Sequence, residues 1–290
     1  MVAINGKTKL LGVIGSPIEH TLSPAMHNAA IAALGENYVY LPFPIVPEKL
    51  PEAIAGFEAI DLRGFSVTIP HKLAIIPLLS DISEKARLVG AVNTVWRGEN
   101  GWKGTNTDVD GFLSPLRSLA RDWSSLEPVI LGNGGAARAV VVALAGLGCR
   151  EIHVVGRNQK KLDPFKESWR DTDLYGAINV HSWDELEGLV STSRLLVNTT
   201  PIGMAPHVEE SPVEAELLDL LPSGAIAYDL IYNPRPTRFL QMAGDRGLTA
   251  IDGLEMLVNQ GAIALEIWLG RSIPVDVMRE ALLAASGVKG

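Results

Sequence analysis

Through the first hundred residues short apolar runs alternate with helical patterns, and the same alternation resumes after Asp108. One of the later strands runs through a glycine-rich turn into an alanine-rich helix. Those observations predict an α/β protein: an N-terminal α/β domain completed by C-terminal helices, plus a doubly wound parallel sheet. In the first part, residues 10–15, 38–45, 64–69 and 93–97 have the length and apolar content of strands, while 24–34 and 47–60 carry helical spacing. Ser23-Pro24 reads as a helix start, with a hydroxyl able to cap free amides and a proline suited to the first helical position, and Gly35 as its stop.

The second alternation gives a helix over 109–119, a polar stretch 121–127, strand 129–131, helix 136–146, and strands 152–155, 195–199 and 226–231. Trp183-Asp-Glu-Leu-Glu opens a further helix, and 237–243 forms a later one. From Gly253 the chain turns helical: Leu254, Leu257, Gly261, Ala264, Leu265 and Trp268 keep one face until Gly270, and a last helix covers 275–285. The expected division is 1–108 with 254–290 for one domain and 109–253 for the other. If the C-terminal helices return to the first domain, the two chain crossings form a hinge, a return that periodicity does not show.

Of 290 residues, 47% are hydrophobic and 20% charged, the balance of a soluble globular protein with material for two cores. The net charge of −8 argues against a broad nucleic-acid surface, which needs clustered lysine and arginine. Cys149 is the single cysteine, so no disulfide framework exists; its place before 151–155 suggests a buried turn and a reduced, cytoplasmic setting. No apolar run approaches the roughly 20 residues of a membrane span. The start, Met1–Lys9, lacks the charged, apolar, small-residue order of a signal peptide. The expectation is a cytoplasmic protein that engages neither nucleic acid nor membrane, as monomer or homodimer.

The glycine turn is Gly132-Asn133-Gly134-Gly135-Ala136-Ala137 after strand Val129-Ile-Leu131, the context a dinucleotide fingerprint requires. Gly132 allows the turn and Gly134 lets backbone approach a pyrophosphate. The helix start supplies unpaired amides, and Ala137 stands where a third glycine is usual. A purely structural turn is the competing reading. The next strand ends Val155-Gly156-Arg157-Asn158, with Lys160 and Lys161 behind, and offers no carboxylate for a free ribose 2′-hydroxyl. Arg157 can grip a 2′-phosphate in a fork and Lys161 can add charge, so this Rossmann-like domain is read as NADP-binding rather than NAD-binding. An ordinary solvated basic helix start would look similar. Asn198-Thr199-Thr200-Pro201 ends another strand at the same carboxyl edge, near where ribose and nicotinamide would lie. Thr199 and Gly253 complete the expected cofactor set.

If a secondary alcohol and a ketone interconvert at such a cofactor, a proton must also move, and Lys72 and Asp108 are suited to move it. Pro70 holds the backbone before Lys72 extended, and Asp108 can anchor the ammonium. From composition alone a plain salt bridge is the commoner arrangement. Thr21, Ser23, Ser66, Thr68, Asn93, Thr94, Asn106, Tyr232 and Gln260 supply neutral donors and acceptors suited to a polyhydroxylated acid. Each taken singly is more often a cap or turn group. The six histidines show no metal spacing, and His71 is read as a packing residue.

Several blocks in one order resemble the shikimate dehydrogenase family: Ser16-Pro-Ile-Glu-His-Thr-Leu-Ser23-Pro24 with His27-Asn28, Ser66-Val-Thr-Ile-Pro-His-Lys72, Gly90-Ala-Val-Asn93-Thr, Asn106-Thr-Asp108, the turn from Gly132, Asn198-Thr-Thr-Pro-Ile-Gly203-Met, Tyr228-Asp-Leu-Ile-Tyr232, and Gly253 through Gln260-Gly261. The resemblance implies NADP(H)-dependent oxidoreduction of 3-dehydroshikimate and shikimate, on the route to aromatic amino acids. It implies Lys72 and Asp108 as the catalytic pair, Thr21 and Ser23 on the substrate carboxylate, and Thr68, Asn93 and Gln260 on its hydroxyls, with Tyr232 nearby. It also implies a discontinuous substrate domain that closes over the cofactor domain.

Three positions depart from the family's usual pattern: Thr21 where serine is common, Ser66 where asparagine is common, and Gly156 where asparagine precedes the arginine. Ser66 lacks an amide that would reach a ring hydroxyl, which leaves quinate as a rival or second substrate. Gly156 leaves Arg157 to carry more of the preference for NADP. A non-catalytic sensor of NADP and a shikimate-like acid is a rival of another class, opposed by the presence of both Lys72 and Asp108.

Overall fold

Buried along most of its length, the first strand, β1 (Lys9–Gly15), is second from one edge of a six-stranded sheet. In the computed structural model, which describes residues 4–287, the chain divides into two units. One takes the residues up to Gly111 and those from Val258, and the other runs from Phe112 to Leu257. The extreme ends of the expected first domain, 1–3 and 288–290, lie outside the described residues, as do the first three residues of the N-terminal stretch read for a signal peptide.

After β1 the first unit continues through α1 (Ser23–Ala33), β2 (Tyr38–Pro44), α2 (Leu50–Ala59), β3 (Leu62–Val67), the single turn α3 (His71–Ala74), β4 (Asp81–Ile82), α4 (Glu84–Val89), β5 (Thr94–Gly98) and β6 (Gly101–Thr105). The sheet order is β2-β1-β3-β5-β6-β4. β1 pairs parallel with β2 and β3, whereas β5 is antiparallel to both β3 and β6. The consequence for function is positional. The carboxyl ends of β1 and β3, the start of β5 and the end of β6 share one edge, because Ser66 pairs with Thr94 and Thr94 with Thr105. In the core on one side of this sheet Phe65 meets Trp102 edge to face and Phe57 at a tilt.

Several boundaries differ from expectation. Ser23 is the first helical residue, not the cap; Leu22 occupies the cap position with no side-chain hydrogen bond. The Thr21 hydroxyl instead accepts from the Ser23 amide at 3.3 Å. The stretch 47–60 opens as a 3₁₀ turn before α2. The strand expected over 64–69 is Leu62–Val67, because the amide of His71 bonds back to Thr68 and turns the chain into α3. β6 was not expected; its hairpin with β5 turns at Glu99-Asn100, where Gly98 pairs with Gly101.

The chain passes to the second unit within α5 (Asp108–Arg117). There follow β7 (Val129–Leu131), α6 (Gly135–Gly146), β8 (Ile152–Gly156), α7 (Gln159–Glu167), β9 (Ile178–Ser182), α8 (Leu186–Val190), β10 (Leu195–Asn198), α9 (Ala215–Leu218), β11 (Ile226–Asp229), α10 (Arg238–Asp245) and β12 (Thr249–Ile251). The order β12-β11-β10-β7-β8-β9 is parallel throughout. This is the doubly wound arrangement, with its strand order reversing between β7 and β10, where open α/β sheets bind ligands beyond the carboxyl ends.

The chain leaves the second unit within α11 (Leu254–Leu269) and ends in α12 (Val275–Ala285), which packs on α1. In the first unit Trp268 Nε1 donates to Val95 O at 2.9 Å, fixing the end of α11 to the sheet. Asn28 docks α1 on the edge strand β2, its amide donating to Tyr40 O and its carbonyl accepting from Tyr40 N, both at 2.9 Å. No helix among the described residues is long and apolar enough to cross a membrane.

Candidate active site

In the first unit Lys72, Asp108, Asn93 and Gln260 meet in one hydrogen-bond network. Lys72 Nζ donates to Asp108 Oδ2 at 2.5 Å, with the two side chains only 15% and 6% exposed. The other carboxylate oxygen accepts from Asn93 Nδ2 at 2.8 Å, and the same amide reaches Gln260 Oε1 at 3.3 Å. Asn93 Oδ1 accepts from the Thr107 amide at 2.8 Å and the Thr94 hydroxyl at 3.0 Å. Asp108 is the first residue of α5, where the helix dipole favours an anion. Lys72 is carried by α3, whose backbone is tied across to Val92 through the Lys72 carbonyl. This is not a pair of long side chains meeting in solvent. A carboxylate with both oxygens engaged and most of its surface covered holds the ammonium in one place, the arrangement needed to deliver a proton at a fixed point.

The remaining first-unit residues lie at the same sheet edge or on α1. Ser66 is engaged by Tyr40, whose hydroxyl donates to Ser66 Oγ at 2.8 Å. Burial holds the Tyr40 phenol above its usual range, so it stays a donor. Ser23 is buried, and neither its hydroxyl nor that of Thr68 has a hydrogen bond to a described residue. Asn106, counted among possible substrate groups, is instead structural: it donates to Ala91 O and accepts from the Asp108 amide, both at 3.0 Å. His71 is a packing residue as expected, buried with Nε2 2.6 Å from Ile45 O.

In the second unit the glycine turn lies after β7 at the point of strand reversal. Gly132 has φ +101°, and a side chain there would strike Thr199 Oγ1, so glycine is required twice over. Thr199 donates from its hydroxyl to Leu131 O at 2.7 Å, tying the end of β10 to the base of the turn. Asn198 and Asp229, which end β10 and β11, form a buried clamp. Asp229 accepts from Asn198 Nδ2 at 2.9 Å, Thr237 Oγ1 at 2.7 Å and the Ile231 amide at 3.1 Å. Burial pushes this carboxyl up to about 6, partly offset by the Thr237, Ile231 and Asn198 donors. The clamp sets the course of 229–237, which includes half-buried Tyr232.

The family models for the shikimate dehydrogenase substrate binding domain and the shikimate 5′-dehydrogenase C-terminal domain match residues 13–95 and 253–283. The chain is 79% identical to a Microcystis aeruginosa protein named shikimate dehydrogenase (NADP(+)), covering 98% of this chain and 99% of that one. This chain belongs to the shikimate dehydrogenase family. Among solved family members, a shikimate dehydrogenase in complex with NADP⁺ is 36% identical with a TM-score of 0.88, covering 99% of this chain and 98% of that chain. The Thermus thermophilus enzyme, solved with NADP(H) and shikimate, is 35% identical with a TM-score of 0.83, over 96% and 100% of the two chains.

The second unit of this shikimate dehydrogenase family member has features that fit a dinucleotide phosphate. Asn133 Nδ2 is buried in the turn without a hydrogen-bond partner, a donor that a ligand oxygen would satisfy. A side chain at Gly134 would meet nothing within 4 Å, so that backbone is open to approach. Gly135 and Ala136 begin α6, whose first amides are free to donate to an anion. Arg157 and Lys161 are exposed beyond β8, and Arg157 forms no hydrogen bond or ion pair with a described residue. Gly156 packs against Leu162, which a side chain at 156 would approach to 3.0 Å. Gly253 is a close-approach glycine: a Cβ there would lie 2.1 Å from Leu230 O.

Sequence reasoning missed the supports. Thr107 beside Asn93, Tyr40 behind Ser66, Thr237 on Asp229 and Trp183 beside Arg157 carry no local motif that would reveal these partners, and Thr94, read as a possible substrate group, serves Asn93 instead.

Proposed function

We propose that the chain is an NADP-dependent shikimate dehydrogenase that interconverts 3-dehydroshikimate and shikimate, with the first unit holding the substrate and the second the cofactor. The observation that carries this is the covered Lys72–Asp108 pair aligned by Asn93, in a chain so similar to named NADP-dependent members. Gly132, Asn133, Gly134, Gly135 and Ala136 hold the pyrophosphate, Arg157 and Lys161 the 2′-phosphate, and Thr199 and Gly253 flank the remainder. When bound, the reduced cofactor would supply a hydride, two electrons together with one hydrogen, to the carbonyl carbon, so that only a proton to the oxygen is left for the protein to provide.

Lys72 acts as the acid, passing a proton from Nζ to the carbonyl oxygen as it becomes the hydroxyl, and takes it back in the reverse direction. Asp108 keeps the ammonium oriented, and Asn93 keeps Asp108 oriented while its Nδ2 exchanges the 3.3 Å contact with Gln260 for a ring hydroxyl. Thr21 and Ser23 seat the substrate carboxylate, where the hydroxyl of Ser23 and the start of α1 favour an anion. Ser66, Thr68 and Gln260 address the ring hydroxyls. The enzyme works as monomer or homodimer in the cytoplasm, a compartment that the lone buried cysteine supports.

Absorbance of the reduced nicotinamide, followed with shikimate or quinate each offered with NADP⁺ or NAD⁺, tests the reading. Shikimate with NADP⁺ is expected to be the fast combination. Comparable turnover of quinate would make the protein a dual-substrate dehydrogenase, and silence in all four would make it a sensor.

A further inference from the structure

The indole of Trp183 lies under the guanidinium of Arg157, with Arg157 Cζ 5.0 Å from the ring centroid. The pairing follows from strand register. β8 and β9 run parallel with Gly156 opposite Ser182, so the residues that follow each strand, Arg157 and Trp183, emerge side by side at the carboxyl edge of the sheet. Trp183 is itself fixed. It is half-buried against the core that includes Val155 and Leu186, and Ser182 and Glu185 close a reciprocal capping box around it, with the Ser182 amide donating to Glu185 Oε1 at 2.9 Å. The nearby acids have other partners: Glu185 takes His181 and Ser182, and Asp184 takes the Ser182 hydroxyl at 3.4 Å.

Arg157 is therefore held against the ring and not through its N–H groups. Its N–H groups form no hydrogen bond or ion pair with a described residue. A free surface arginine samples many rotamers and loses that freedom on gripping a phosphate. An arginine held over a fixed indole has lost much of it beforehand and keeps its N–H groups unspent for a phosphate.

We propose that Trp183 is a specificity-determining positioning residue, a shelf that pre-orders Arg157 for a ribose 2′-phosphate and so favours NADP over NAD. The inference rests on the reading of Arg157 as the 2′-phosphate ligand. It assigns a role to a residue that never touches the reacting atoms, and it explains how this chain manages with Gly156, which brings no side chain of its own beside Arg157.

Calorimetric titration with adenosine 2′,5′-bisphosphate and with adenosine 5′-monophosphate, which differ only in the 2′-phosphate, tests it on the intact enzyme without turnover. In Trp183→Leu, which keeps an apolar group on the core, affinity for the bisphosphate is expected to fall about three- to fivefold, the range a partly exposed cation–π contact commands. Affinity for the monophosphate stays the same, and Trp183→Phe recovers part of the loss. In an Arg157→Ala background, Trp183→Leu adds nothing further. Undiminished bisphosphate affinity in Trp183→Leu, equal losses for both nucleotides, or additive effects in the double variant would each overturn the shelf. If Arg157→Ala alone leaves the bisphosphate preference intact, the reading of Arg157 falls first and the role of Trp183 with it. A loss in Arg157→Ala without one in Trp183→Leu removes the shelf only.

Discussion

Asn93 Nδ2 donates to Asp108 Oδ1 at 2.8 Å, leaving Oδ2 for Lys72. One amide thereby decides how the carboxylate is turned, and its carbonyl is fixed in turn by the Thr107 amide. Asn93→Ala leaves the buried Thr107 N–H without its acceptor and frees Asp108 to rotate. Stability is expected to fall by about 1–3 kcal/mol, the usual cost of a buried unsatisfied group. Turnover should fall about tenfold or more, since orientation is lost along with the hydrogen bond. Denaturant melts and steady-state kinetics read the two effects separately; unchanged kcat would mean that Asp108 is aligned without Asn93.

Lys72→Ala removes the proposed proton donor but leaves the residues assigned to the substrate carboxylate and ring in place. The expected result is a kcat lower by at least about a hundredfold with KM little altered, the signature of a group acting mainly in the transition state. Lys72→Arg should fare almost as badly, because a guanidinium can pair with Asp108 but does not release a proton near neutral pH. Near-normal turnover in Lys72→Ala would exclude Lys72 from the chemistry.

Four strands of the second sheet, β7, β8, β10 and β11, were legible because each is a short, mainly apolar run bounded by turns, and because Gly132 and Gly134 follow one of them directly; β9 (Ile-Asn-Val-His-Ser) and β12 (Thr-Ala-Ile) were missed, since one is half polar and the other is short and largely exposed. Lys72 and Asp108 stood out through their order in the chain and the motifs around them. What stayed hidden was contact between distant segments. Asn106 looked like a ligand group because its amide is visible in sequence and its partners, Ala91 O and the Asp108 amide, are not. Ser23 looked like a cap because cap and first-turn positions favour the same residues, a distinction of one residue that only backbone angles decide. β6 was overlooked because Gly101-Trp-Lys-Gly-Thr105 holds two glycines and little apolar content; its strand character comes from pairing with β5.

Gly253→Ala tests a close approach of backbones. The added methyl would overlap Leu230 O, a backbone atom that cannot swing aside, so the chain from Leu230 to Ile231 must move and the hydrogen bond from the Gly253 amide to Ile231 O must stretch. A loss of about 1–3 kcal/mol of stability is expected, with a fall in kcat/KM for the NADP-linked reaction as the Tyr232 loop shifts. Full stability and activity would show that the loop gives way freely.

Asp229 and His27 drive acid stability in opposite directions. His27 is fully buried, stacked on Tyr40 at 4.1 Å, with neither ring nitrogen hydrogen-bonded, and burial lowers its pKa from 6.5 to about 3. Between those values the unfolded chain takes up a proton that the folded chain refuses, so stability drops as pH falls from about 6.5 towards 3. Asp229 is raised from 3.8 to about 6, so the folded chain keeps a proton that the unfolded chain releases. Its contribution is present below about 3.8 and is lost as pH rises through about 6. Urea unfolding between pH 4 and pH 7 separates them. Relative to the parent, Asp229→Asn should gain ground as pH rises and His27→Leu should gain ground as pH falls, each by on the order of 1–3 kcal/mol across the window. Variant curves parallel to the parent would mean that neither group titrates differently in the folded and unfolded chain.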